Sequence, residues 1–123
     1  MEKAHKKLNV WQEAMQLAKE IYQVTSGLPE SEKYGLISQM RKAAVSIPSN
    51  IAEGAARQSD RQSLQFYTIA RGSLSELDTQ IELCALLGML TGSQTRHIEP
   101  RLNAVDGLLS GLIRFTRKKR TSK

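Results

Sequence analysis

The sequence predicts an all-α fold, an antiparallel up-down-up-down four-helix bundle, and three observations carry that prediction. Apolar residues recur three and four apart in four segments of the 123-residue chain, and no segment sustains the alternation of a strand. The connections between segments, near residues 27–34, 58–59 and 88–93, have the length that joins neighbouring helices of a bundle.

The first segment runs from about Leu8 to Thr25. Leu8, Trp11, Met15, Ala18, Tyr22 and Thr25 form its apolar stripe, with Ala14 and Ile21 beside it, and Ser26-Gly27-Leu28-Pro29 ends it. The second begins between Ser31 and Leu36 and runs to about Arg57, with a stripe of Ile37, Met40, Ala44, Ile47, Ile51 and Ala55. The third opens at Ser59, which has capping-box spacing with Gln62. Its stripe is Tyr67, Ala70, Leu74, Leu77, Ile81 and Cys84, and Gly88 suits a left-handed cap after its end. The fourth follows Thr91-Gly92-Ser93 and repeats Ile98, Leu102, Val105, Leu109, Leu112 and Thr116, flanked by Leu108 and Phe115. Pro100 leaves two starts open for it: near Glu99, where a first-turn proline is harmless, or earlier with a bend.

The expected domain is the bundle over residues 1–113, followed by a basic, disordered tail over 114–123. The charge is concentrated there. The net charge is +6, from 18 Lys and Arg against 12 Asp and Glu, and the tail holds Arg114, Arg117, Lys118, Lys119, Arg120 and Lys123. Without those six the chain is formally neutral, so the six are the candidate nucleic-acid-binding residues, suited to following phosphates. Six aromatic residues make a thin core in so short a chain, which points to apolar surface shared between subunits.

Other chemistry is not supported. The single cysteine, Cys84, forms no intrachain disulfide, fits a cytoplasmic protein, and sits on an apolar stripe as a small core residue. No run approaches the roughly 20 apolar residues of a membrane span. His5 and His97 lie far apart, with no metal-ligand spacing and no link to a nucleophile, so neither a metal site nor a hydrolase triad is expected. No glycine-rich phosphate loop is present, because "EGAAR" lacks both the spacing and a preceding strand. Glu76, Asp78 and Glu82 read as a solvated face. Enzyme function and cofactors are therefore not expected.

The unusual stretch is "RKAAVSIPSNIAEGAARQSD", residues 41–60. Pro48 lacks the N–H that would bond the Ala44 carbonyl, at a cost of about 3 kcal/mol in a helix interior. Ser46, Ser49 and Asn50 are short enough to bond the backbone locally, and the small residues around them let another helix approach. A kinked helix at a tight contact is the structural reading. The functional reading is a polar surface in which Asn50, Glu53 and Arg57 share one helix face.

"LNVWQEAMQLAKEIY", "YGLISQMRKAAVSIPSNIAEGAAR" and "RGSLSELDTQIELCALLGML" together resemble the 23S rRNA intervening-sequence protein family, over about residues 8–116. SIPSNIAEG is the specific part of the resemblance, and Lys42 stands where the family more often has Arg. The resemblance implies a four-helix bundle that assembles as a homo-oligomer, a homopentameric ring. It also implies kinship with accessory proteins of diversity-generating retroelements, which bind nucleic acid and a reverse transcriptase. Ser46, Pro48, Asn50, Glu53 and Gly54 carry over as structural-motif or subunit-interface positions, joined by Arg57 from its place on the same face, and no catalytic residue carries over. The expected function is a non-enzymatic RNA- or DNA-binding adaptor. The alternative is a protein-interaction scaffold that binds no nucleic acid.

Overall fold

The computed structural model describes residues 3–121, and side chains from 3 to 119. Four α-helices occur among the described residues: α1 (Asn9–Thr25), α2 (Leu36–Ala55), α3 (Asp60–Leu86) and α4 (Gly92–Thr121). Two short 3-10 segments, Ala4–Lys7 and Glu30–Glu32, precede α1 and α2, and no strand occurs among the described residues. Packing runs in a cycle, α1 on α2, α2 on α3, α3 on α4 and α4 on α1. Inside it, Leu17, Ile21, Met40, Ile47, Ile51, Leu77, Val105 and Leu109 are completely buried.

The helix ends show why the chain turns where it does. α1 ends where Ser26 Oγ donates to the Tyr22 carbonyl at 2.8 Å and Thr25 Oγ1 to the Ile21 carbonyl at 2.6 Å. Arg41 reaches across from α2 to the same end. Its Nε donates to Thr25 Oγ1 at 2.9 Å and its Nη2 to the Tyr22 carbonyl at 3.3 Å, a cation placed against the negative end of the helix. At the start of α2, Glu32 Oε1 accepts the Leu36 N–H at 3.2 Å. Ser59 caps α3 as its spacing predicts, its Oγ accepting the Gln62 N–H at 3.2 Å. α3 closes at Gly88, whose φ of +74° only glycine adopts cheaply, with the Met89 N–H returning to the Cys84 carbonyl at 2.8 Å.

Three expectations need correction. The α1 core stripe is Val10, Ala14, Leu17, Ile21 and Thr25, whereas Met15 and Tyr22 are 44% exposed. The predicted stripe lies about one residue too far round the helix, because Trp11 and Tyr22 are large enough to look like core while they cover its edge. On α4, Ile113 is buried in line with Leu109 and Thr116, while Leu112 packs at the margin.

The boundary expected at residue 114 is also absent. α4 continues to Thr121, so the basic segment is helical as far as it is described, and Thr116 within it is buried. The earlier of the two starts left open for α4 is the observed one, and Pro100 lies inside the helix. Thr91 and Gln94 explain that start. The Thr91 Oγ1 accepts the Gln94 N–H at 3.1 Å and the Gln94 Oε1 accepts the Thr91 N–H at 2.8 Å, a reciprocal capping box.

Candidate functional site

The polar stretch of α2 faces α3. Asn50 Nδ2 donates to the Ser46 carbonyl at 2.8 Å and to Ser46 Oγ at 3.0 Å, and Ser46 Oγ pairs with Ser73 Oγ of α3 at 2.8 Å. The short side chains around Pro48 thus bond one another and the neighbouring helix. The carbonyl they engage is that of Ser46, not that of Ala44, which Pro48 deprives of its donor. Pro48 itself is buried and Ser49 is exposed.

At Gly54 the two helices approach closely. A Cβ there would collide with the Tyr67 ring and stand 3.1 Å from the Ser63 carbonyl, while Ser63 Oγ donates to the Gly54 carbonyl at 2.7 Å. Glycine is required here for space, not for an unusual φ. Burial, and behind it the Asp60 charge, push the Tyr67 phenol up from its ordinary value. Burial, with a lesser contribution from Glu32, likewise raises the Cys84 thiol, which lies 3.6 Å from Met40 Sδ in the core. A thiol held protonated out of solvent is a packing group.

Glu53 and Arg57 stand on the outside of the same helix. Arg57 Nη2 meets Glu53 Oε2 at 2.5 Å, and its guanidinium lies 4.5 Å from the centre of the Phe66 ring. The motif residues therefore divide. Ser46 and Gly54 join α2 to α3, Asn50 braces Ser46 from within α2 and Pro48 is buried, whereas Glu53 and Arg57 form an exposed pair that holds no buried group.

Beside Ser46 and Ser73 a groove of about 320 Å³ opens between α2 and α3, also lined by Lys42, Glu76 and Gln80. Gln80 is 8% exposed, and its Oε1 has no hydrogen-bond partner among the described residues. Glu76, Asp78 and Glu82 are all exposed; Glu76 borders this groove, while Asp78 and Glu82 border another between α3 and α4. No group of three or more His, Cys, Asp or Glu able to hold a metal stands together among the described residues. His5 packs edge-on against Trp11, and His97 lies on α4 in a groove with Glu13 and Glu20.

The candidate nucleic-acid residues Arg114, Arg117, Lys118 and Lys119 are exposed on the last turns of α4. Arg120 lies in that helix, but its side chain, like Lys123, is outside the described residues. Lys119 Nζ is 3.5 Å from Asp60 at the start of α3 and 5.8 Å from the centre of the Phe115 ring. Arg117 shares a groove with Arg61, Gln65 and Ile69 of α3, so the fold adds Arg61 to this basic end. Sequence reasoning missed Arg61, because 56 positions separate it from Arg117 and only α3–α4 packing brings the two together.

This arrangement of four helices has known counterparts. The model of the 23S rRNA-intervening sequence proteins matches residues 6–111. The chain belongs to that family. A solved relative in fold is a protein of unknown function from the S23 ribosomal protein family of Bacteroides thetaiotaomicron, with a TM-score of 0.76 at 22% identity. The match covers 85% of this chain and 97% of that one. At that identity the likeness speaks for the fold alone. No curated protein matches the chain. Within the family region fall all of Ser46, Pro48, Asn50, Glu53, Gly54 and Arg57, whereas the basic end from Arg114 onward lies beyond it. No helix among the described residues is long and apolar enough to cross a membrane.

Proposed function

We propose that this member of the intervening-sequence family is a non-enzymatic, oligomeric adaptor that binds nucleic acid, RNA in the first place, through the basic end of α4. The observation that carries the reading is the exposure of Arg114, Arg117 and Lys118 at positions i, i+3 and i+4, which share one face of a helix. Cations in that register follow phosphates without reading bases, so binding is weakly sequence-selective and steeply salt-dependent. Repetition around a homopentamer adds avidity.

An antiparallel course of the helices supports this placement. Met40 meets Cys84, Ser46 meets Ser73 and Gly54 meets Ser63, so one helix ascends as the other descends. A bend at Pro48 fits the same seam. Support for oligomerisation comes from the unpaired Gln80 Oε1 beside Ser46 and from apolar side chains left in solvent, Leu86 at 84% and Phe115 at 62% exposure. Native mass spectrometry tests it: a mass of five chains is expected, and a monomer at micromolar concentration overturns it. The scaffold alternative, with a protein partner such as a reverse transcriptase, is favoured by the same exposed Leu86 and its neighbour Leu87. Complexes of that kind tolerate salt.

RNA binding is tested with fluorescent single-stranded and structured RNA across a salt series. Because Thr116 is buried, the suitable variant replaces Arg114, Arg117 and Lys118 by Gln and leaves the helix whole. Affinity is expected to fall at least tenfold at low salt, with the salt slope for single strands shallower by about two units. No binding by the intact protein at low salt, or an unchanged slope in the variant, overturns the reading.

A further inference from the structure

A second cationic surface lies away from the basic end of α4, where the end of α1 meets the start of α2. A groove of about 540 Å³ opens there, lined among others by Tyr22, Lys33, Tyr34, Arg41, Lys42 and Val45. These positions are scattered over 24 residues of sequence, and the turn through Gly27 and Pro29 gathers them. The lining carries three cations and no carboxylate. Nearby Glu32 turns its Oε1 to the Leu36 N–H at the start of α2.

The aromatic rings set this surface apart from an ordinary basic patch. Tyr34 is 88% exposed, with Lys33 Nζ 5.6 Å from its ring centre. The Arg41 guanidinium lies 4.6 Å from the centre of the Tyr22 ring and is held there by its hydrogen bonds to Thr25 and the Tyr22 carbonyl. A guanidinium fixed in this way is a rigid, flat, charged plate, and its ordering cost is met before any ligand arrives.

We infer that this groove binds single-stranded nucleic acid, with one base stacked on Tyr34, a neighbouring base against the Tyr22–Arg41 pair, and Lys33 and Lys42 on the phosphates. Flat π-faces beside cations are the means by which unpaired strands are held without sequence readout. An acidic peptide would engage the cations and leave the Tyr34 ring unused. The inference rests on the nucleic-acid reading above, but it adds a base-dependent site to the phosphate contacts proposed for α4.

The test uses two fluorescent probes of equal length, a short oligoadenylate RNA and an abasic strand with the same number of phosphates. The intact protein is expected to bind the oligoadenylate about tenfold or more tightly than the abasic strand. Tyr34→Ala removes that preference and leaves abasic binding and the melting temperature unchanged, while Tyr34→Phe retains it. A preference that survives Tyr34→Ala, or no preference in the intact protein, overturns the groove. The abasic arm then still reports phosphate binding, so the reading of α4 stands or falls separately. Binding of neither probe overturns both. Full displacement of the oligoadenylate by oligoglutamate at equal charge overturns the groove in favour of an acidic peptide.

Discussion

Where α2 meets α3, the helices touch through a glycine, a ring edge and serine hydroxyls; where α1 meets α4, they are tied across the surface by charge. The first seam has Gly54 under Tyr67, Ser63 bonded to the Gly54 carbonyl, and Ser46 bonded to Ser73. In the second, Arg101 of α4 binds Glu13 at 2.6 Å and Glu20 at 3.3 Å, both on α1. The Arg101 side chain is one-third exposed, so water and salt weaken its attraction to both acids. The two acids raise the guanidinium pKa further, Glu13 first, and it stays charged at any working pH. The difference teaches that steric fit makes the α2–α3 seam intolerant of added atoms, whereas the α1–α4 seam tolerates change and responds to ionic strength.

The largest expected effect is at Gly54. Gly54→Val places a branched side chain against the Tyr67 ring and is expected to destabilise the fold by about 3 kcal/mol, the upper end for overpacking. Denaturant unfolding measures it, and a loss that shrinks at high salt would contradict a steric origin. Next comes Asn50→Leu, which removes both bonds to Ser46 and is expected to cost about 1 kcal/mol, because Asn50 is only partly buried. Equal stability in that variant would show that the Ser46–Ser73 pair holds the seam unaided. The smallest is Arg101→Gln, expected to cost up to about 1 kcal/mol at low ionic strength. Most of that cost should vanish in 0.5 M salt; a salt-independent loss would mean that the two seams are built alike.

How much of this was legible depended on whether the signal was local. The α3 stripe from Tyr67 to Cys84 is buried residue for residue, because a long helix flanked by neighbours on two sides shows its period plainly. The α1 stripe was read from its largest side chains and was displaced, since Tyr22 packs its ring under Arg41 instead of into the core. Thr91-Gly92-Ser93 marked the turn before α4 and Pro100 left two starts open; the capping bonds between Thr91 and Gln94 select the earlier one. SIPSNIAEG marked the family, and its proline and polar residues were visible as an anomaly. The division of labour within it was not visible, because it depends on what α3 presents: Ser63, Tyr67 and Ser73.

Helix count, the caps at Ser59 and Gly88, and the charge gathered at the chain's end follow from residues within a turn or two of one another. Those interactions exist in any chain that forms the local helix, so sequence alone determined them. The space at Gly54, the Arg101 clasp, the union of Arg61 with Arg117, and the Tyr22–Tyr34–Arg41 groove join residues from different elements. Only the tertiary structure decided these, because a contact between helices depends on their relative rotation and approach, which the period of either helix leaves undetermined.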